Sequence, residues 1–203
     1  SKVNSLTNVE EIVNQENFKP PKTMKDMEKL FSNLYPKDED GFYSIDQPLD
    51  IPENSKPIYE NSSEIIKDYL FDVKKELSLL EKDSKSYFKG GESEAFIRLE
   101  RKVSSEKEYI RNFRKPRTIS TNKPENPLEP ETTGLSPYLS FGCLSPRLLW
   151  KETEKCYRDG DHTQPPESMH GQLMFREMFY ILSRAVENWD SDTNNSMCKK
   201  IEW

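Results

Sequence analysis

No apolar run in this sequence is long enough to cross a bilayer, and its opening residues, Ser1-Lys2-Val3-Asn4-Ser5, are not followed by the apolar core of a secretory signal. Cysteine is scarce. The three, Cys143, Cys156 and Cys198, are odd in number and lack metal-ligand spacing, as do His162 and His170. Reduced thiols, no metal site and residence in the nucleus or cytoplasm are therefore expected. Apolar residues are also few, 33% of 203 positions against an average of about 45%. Either part of the chain has no core of its own, or the core is completed by something outside these residues.

The deficit is uneven. Residues 1–88 hold 12 Lys/Arg against 18 Asp/Glu, whereas residues 89–203 hold 18 of each. The first part also carries Pro20-Pro21, Pro36, Pro48, Pro52 and Pro57 among acidic and Asn/Ser-rich stretches. Its apolar periodicity predicts two helices. One lies near Thr23–Leu34, on Met24, Met27, Leu30, Phe31 and Leu34; the other lies near Ser63–Leu80. Residues 1–88 read as a partly irregular connector laid over a larger body.

Residues 89–203 read as helical throughout. Gly90-Gly91 breaks the chain, and Ser93-Glu94 opens a helix on Phe96, Leu99, Val103, Ile110 and Phe113 that must end before Pro116. Another helix starts at Ser145 and is capped near Asp159-Gly160. The last starts around Ser168. Its apolar residues are dense enough to predict burial around most of its circumference, with Arg176 and Glu177 then needing partners. Trp150, Trp189 and Trp203 read as packing residues at helix ends, and no strand pattern competes.

The most informative stretch is Thr132 to Arg147, with two Ser-Pro pairs, Ser136-Pro137 and Ser145-Pro146. Serine is a good N-cap and proline fits the first helical position, so the run predicts a turn, a short helix closed near Gly142, and a second helix. Thr132-Thr133-Gly134 brings hydroxyls and bare backbone to the start of the first helix, which suits a phosphate. Nine basic and three acidic residues lie between Arg98 and Lys123, ending on Arg114-Lys115-Pro116-Arg117. That run is either part of an anion site or a solvated basic face. Gln172, on the apolar last helix, points to a polar ligand or to an internal polar network.

Together these residues resemble the photolyase/cryptochrome family of flavoproteins. The resemblance rests on Thr132 to Leu139, on Phe141-Gly142-Cys143-Leu144-Ser145, and on Gln164-Pro165-Pro166 followed by Gly171 to Glu177. It extends to Gly90 to Ala95, to Lys19-Pro20-Pro21-Lys22-Thr23, and to Asn195, Cys198, Ile201 and Trp203. Phe113-Arg114-Lys115-Pro116 and Gln172 point to the (6-4) photolyase and animal cryptochrome branch.

The resemblance implies a mostly α fragment: an interdomain connector (1–88) and the first part of a helical FAD-binding domain (89–203). It implies FAD as cofactor, held by Lys115, Arg117, Thr132, Thr133, Gly134, Leu135, Ser136, Gln172, Arg176 and Phe179. Lys115, Gln172 and Phe175 would face DNA, Phe175 standing where repair enzymes usually carry a tryptophan. The implied function is light-driven repair of pyrimidine photoproducts by a (6-4) DNA photolyase, a carbon–carbon lyase acting on damaged DNA. The alternatives are a cryptochrome with signalling or clock partners, or an inactive truncated product. The family's catalytic histidines match nothing up to residue 203, so no catalytic residue is expected here and the fragment alone should be inactive. An antenna pigment would bind a domain outside this sequence; no membrane association is expected, and the protein is expected to be a monomer.

Overall fold

The computed structural model describes residues 4–47, 88–116, 122, 123, 126–191 and 193–198. Two compact units divide the chain, one made of Ser1–Pro48 with Gly90–Trp203, the other of Leu49–Lys89. The helix expected at Ser63–Leu80 lies outside the described residues. Element order is α1 (Val9–Val13), α2 (Met24–Leu34), α3 (Glu92–Leu99), a π-helical turn (Glu100–Ser104), α4 (Lys107–Asn112), β1 (Asn122–Lys123), β2 (Asn126–Pro130), α5 (Ser136–Ser140), α6 (Pro146–Tyr157) and α7 (Met169–Ala185). The protein is mostly helical. Helix α7 is central and packs against α1, α2 and α6, while α6 packs against α4 and the π turn.

Local chemistry explains the helix starts. Thr23 caps α2 through a reciprocal box: its Oγ1 accepts from the Asp26 N–H at 3.2 Å, and Asp26 Oδ2 accepts from the Thr23 N–H at 3.0 Å. Of the five apolar residues expected to face inward, Met27 and Phe31 reach the core completely. Ser168 caps α7, its Oγ accepting from the Gly171 N–H at 3.1 Å. Gly171 is required for close approach, since a Cβ there would stand 2.6 Å from the Pro166 carbonyl oxygen. Helix α6 ends as expected, with Gly160 at φ +155° donating to the Tyr157 carbonyl.

Glu177 is wholly buried in the middle of α7 and its partners are far away in sequence. Its carboxylate accepts from the Leu6 N–H at 2.9 Å, the Thr7 N–H at 2.9 Å and the Thr7 hydroxyl at 2.5 Å. Burial pushes its pKa above the usual carboxylate range, and those donors pull it back. Arg176 Nη1 donates to the Asn4 carbonyl at 2.8 Å, and Arg147 Nε donates to the Ser5 carbonyl at 3.2 Å. Three body side chains thus bind the backbone of residues 4–7, and this seats Leu6 and Ile12 in the core. Full burial of each is worth about 1.5–3 kcal/mol.

Trp150 and His170 form the second centre. Their rings stack at 3.6 Å and 4° between α6 and α7, and His170 Nε2 meets the Trp150 carbonyl at 3.0 Å. Phe31 of α2 closes on the same indole at 5.9 Å. Burial depresses the His170 pKa to about 3, so the imidazole is neutral in the fold.

Five expectations need correction. The helix expected to run unbroken from Ser93 past Phe113 is α3, a π turn and α4, because the wider turn and the break at Ser105-Glu106 turn Ile110 and Phe113 into the core. Phe96, expected inside, is exposed. The part read as purely helical contains the antiparallel pair β1–β2, where Asn122 faces Pro130. Trp150 sits in mid-helix, not at an end. Burial around most of α7 also fails, since Phe175, Phe179 and Tyr180 lie on an open face. Among the described residues no helix is long and apolar enough to cross a membrane, and none of the His, Cys, Asp and Glu residues group to hold a metal ion.

Two outcomes follow from this packing. Glu177→Ala leaves three buried donors without an acceptor, at about 1–3 kcal/mol for each group left unsatisfied. It should lower urea stability by several times the effect of Glu177→Gln and strip amide protection from residues 4–13; native-like protection in Glu177→Ala would refute this account. His170, depressed when folded and near 6.5 when unfolded, withdraws stability as pH falls from about 6.5 towards 3, at about 1.4 kcal/mol per pH unit. Glu177 titrates with the opposite sign, so the measurement is urea stability against pH for the native chain and for His170→Phe. The variant should have the flatter acid limb.

Candidate functional site

The turn expected at Thr132 to Ser136 is built over a buried cation. Arg98, only 5% exposed, reaches from α3, and its Nε donates to the Thr133 carbonyl at 2.8 Å. Above it Gly134 takes φ +61°, and a Cβ there would fall 2.4 Å from Arg98 Nη2. Only glycine meets both conditions at low cost. On the approach side the Tyr109 hydroxyl donates to the Glu131 carbonyl at 2.9 Å. Thr133 and Leu135 are buried, Thr132 is half-buried, and Ser136 is exposed.

Ser136 departs from its expected part. It is the first residue of α5; Leu135, with helical φ −89° and ψ −9°, occupies the cap position, and Pro137 falls one place inside. Its hydroxyl therefore makes no capping bond. Ser145 does sit at the cap of α6 with Pro146 first inside, also without a side-chain capping bond. Helix α5 is five residues long, so its macrodipole is slight. An anion placed here would be met by hydroxyls, backbone and nearby cations more than by a helix dipole. Closure near Gly142 is as expected, with φ +75° and the Leu144 N–H donating to the Tyr138 carbonyl.

The second group of expected residues lies on α7. Gln172, Phe175, Arg176 and Phe179 are spaced three or four apart and share one face. Phe175 and Phe179 are 45% and 46% exposed, with ring centres 5.1 Å apart in edge contact. Gln172, expected to be buried, is half-exposed, and its Nε2 donates to the Pro166 carbonyl at 3.0 Å. The amide lies on the rim of the open face, one position from the buried stripe. Arg176 joins this face to the turn: its Nη2 lies 3.4 Å from the Leu139 carbonyl in α5 and 3.0 Å from the Tyr180 hydroxyl, with the guanidinium 4.6 Å over the Tyr180 ring.

Lys115 is exposed and tied to the same turn as Gln172. Its N–H donates to the Glu167 carbonyl at 2.8 Å, and its Nζ pairs with Glu167 Oε1 at 3.1 Å. Arg117 lies outside the described residues. The expected residues thus fall in two adjoining groups: Thr132 to Ser136 over Arg98, and the α7 face with Lys115 at its end.

Sequence reasoning missed Arg98 and Tyr109. A signal existed for the first: Arg98 lies on the same helical face as Ala95 and Leu99, both buried, and a cation on an apolar stripe needs a partner. Nothing marked Tyr109, whose hydroxyl finds a carbonyl 22 residues away.

No family model matches the chain. Individual relatives do. Over 117 residues, 57% of this chain, it is 44% identical to a (6-4)DNA photolyase of Arabidopsis thaliana, covering 20% of that protein. A (6-4)DNA photolyase of Oryza sativa subsp. japonica is 42% identical over 119 residues, 58% of this chain and 21% of that protein. Cryptochrome-1 of Macaca fascicularis is 31% identical over 210 aligned residues, which take in 98% of this chain and 32% of the relative. The chain therefore spans about a fifth to a third of the length of these relatives.

Gly134→Ala tests the turn. A non-glycine residue at positive φ costs about 1–2 kcal/mol, and displacing Arg98 loses a charge-assisted hydrogen bond of about 1.5–3 kcal/mol. The substitution should lower urea stability by roughly their sum, and by much less in an Arg98→Ala background, where only the backbone cost remains. Equal losses in the two backgrounds would show that Arg98 does not support this turn.

Proposed function

We propose that this chain, which belongs to the photolyase/cryptochrome family, forms one side of an FAD site and serves light-driven repair of (6-4)-type pyrimidine photoproducts in DNA. The observation that carries the reading is the adjacency of the two groups. An open helix face bearing Gln172, Phe175, Arg176 and Phe179 abuts a hydroxyl-lined turn through the contact of Arg176 with Leu139.

The donor set of the turn fits a pyrophosphate. Thr132 and Ser136 offer hydroxyls, the backbone at the start of α5 lies beside them, and Gly134 presents no side chain. Arg98 fixes the Thr133 carbonyl from below and contributes positive potential. Bound FAD supplies the light-excited electron donor. This chain's part is to hold the pyrophosphate on Thr132 to Ser136, to border the flavin ring with Arg176 and Phe179, and to exclude water from that face. Gln172 and Phe175 then receive a flipped photoproduct, the amide by hydrogen bonds and the phenyl ring by stacking. Lys115, exposed beside Gln172, meets the DNA backbone.

Light sensing without repair is the second reading. It is favoured by one observation: cryptochrome-1 relatives are matched over nearly the whole chain, whereas the two photolyases are matched over 57–58% of it.

Damaged and undamaged duplexes titrated at one fixed salt concentration separate the two, using the flavin-loaded protein that carries this chain. Under the repair reading Phe175→Ala weakens damaged-duplex binding by about 1–3 kcal/mol, the worth of one base–aromatic stack, and leaves undamaged binding nearly unchanged. Phe175→Trp holds or improves it. Equal affinity of the native protein for both duplexes would end the repair reading and leave the signalling one.

A further inference from the structure

A cleft of about 540 Å³ opens among α2, the 37–43 turn, α6 and the loop leading into α7. It is lined by none of Thr132 to Ser136 and by none of the open-face residues of α7, so the flavin reading leaves it unexplained. Its volume is that of a small-molecule site.

The lining is unusual for this chain. One face of α2 supplies Lys25, Glu28, Lys29 and Ser32, and Lys37 comes from the following turn. Asp40 also lines the cleft, but its carboxylate is held by Arg158 at 2.5 Å. Because that guanidinium also pairs with Asp38 and Glu154, the lining carries three ammonium groups against the carboxylates of Glu28 and Asp40, in a chain whose net charge is −6. Lys37 is placed over a ring, its Nζ 4.7 Å above Tyr43. Aromatic groups make up much of the rest: Phe42 lies 5.6 Å from His162, and His162 stacks on Tyr157 at 4.1 Å and 7°. Trp150 also lines the cleft. It is 2% exposed, and among the described residues no acceptor is within reach of its indole N–H. A buried donor in that state loses its hydration without return, and a ligand acceptor would restore it.

We propose that this cleft binds a planar aromatic anion of nucleotide size, with phosphate drawn to Lys25, Lys29 and Lys37 and the ring system set among the aromatic side chains within reach of the Trp150 N–H. Cationic groups select the phosphate, and the aromatic lining selects a ring over a bare ion. The site is separate from the flavin residues, and its variants touch none of them.

The probe is ADP, titrated into the full chain at one fixed salt concentration and followed by calorimetry and by the NMR signal of the Trp150 indole N–H, assigned with Trp150→Phe. The expected result is saturable binding to a single site, with displacement of the Trp150 signal. Lys25→Gln/Lys29→Gln, two exposed positions, should weaken binding about tenfold or more. Arg184→Gln, whose cation pairs with Glu10 outside the cleft, should keep the native affinity. Three results each overturn the proposal: inorganic pyrophosphate binding as tightly as ADP, ADP affinity unchanged in the double lysine variant, or a Trp150 signal that stays in place at saturation. The lysine variants and the native-chain signal together keep the test independent of any loss of folding.

Discussion

A single buried carboxylate organises this protein. Glu177 is held at the centre of α7 by donors from Leu6 and Thr7, 170 residues earlier in the chain. Burying a carboxylate is expensive unless its oxygens are satisfied, so the first segment must lie along α7 and at one register only. Once it does, the rotational phase of α7 is set. Leu173, Met174, Met178 and Ile181 turn inward with Glu177, towards α1, α2 and α6. Gln172, Phe175 and Phe179 are left on the other side. The open face from which the functional reading is drawn is thus a consequence of where the carboxylate was buried.

The cations divide by role. Arg98, Arg147 and Arg176 bind main-chain carbonyls, each with the planar donor fork that suits such contacts, and each joins segments distant in sequence. Arg176 does this twice, clamping residue 4 and α5 to the same turn of α7. The turn at Thr132 to Ser136 is therefore rigid for reasons outside itself: Arg98 below, Tyr109 on the approach and Arg176 behind the helix that follows. Lysines behave differently. Lys115, Lys107 and Lys155 pair with acids at the surface, where such pairs contribute little to stability.

The 37–43 turn is secured by another arginine. Arg158, at the end of α6, binds Asp38, Asp40 and Glu154 and lies 4.7 Å over the Phe42 ring. Phe42 in turn approaches His162, which rests on Tyr157. This chain of contacts ties the turn after α2 to the loop before α7 and so forms the walls of the lysine-rich cleft. Its groups are mostly at or near the surface, unlike Trp150 and His170 beneath them, and the two layers respond differently to acid. His170 resists protonation because it is fully enclosed, whereas His162, only partly covered, is depressed less.

Local rules in the sequence determined the elements that depend on neighbouring residues. The Thr23 box, the Ser168 cap, the Pro146 start and the glycine stops at 142 and 160 all stand where residue chemistry put them. The need of Glu177 for partners was also legible, since a charge on a dense apolar stripe cannot be buried alone. Tertiary structure decided what depends on distance. It named Leu6 and Thr7 as those partners, placed Arg98 under Gly134, shifted the start of α5 so that Ser136 is no cap, and broke the α3–α4 run to bring Ile110 inward. It also left Phe175 and Phe179 open, although their apolarity alone predicted burial. The physical reason is the same in each case. Capping, turn and propensity energies act over a few residues and can be read along the chain, whereas burial and the pairing of polar groups are settled by whichever segment arrives from elsewhere.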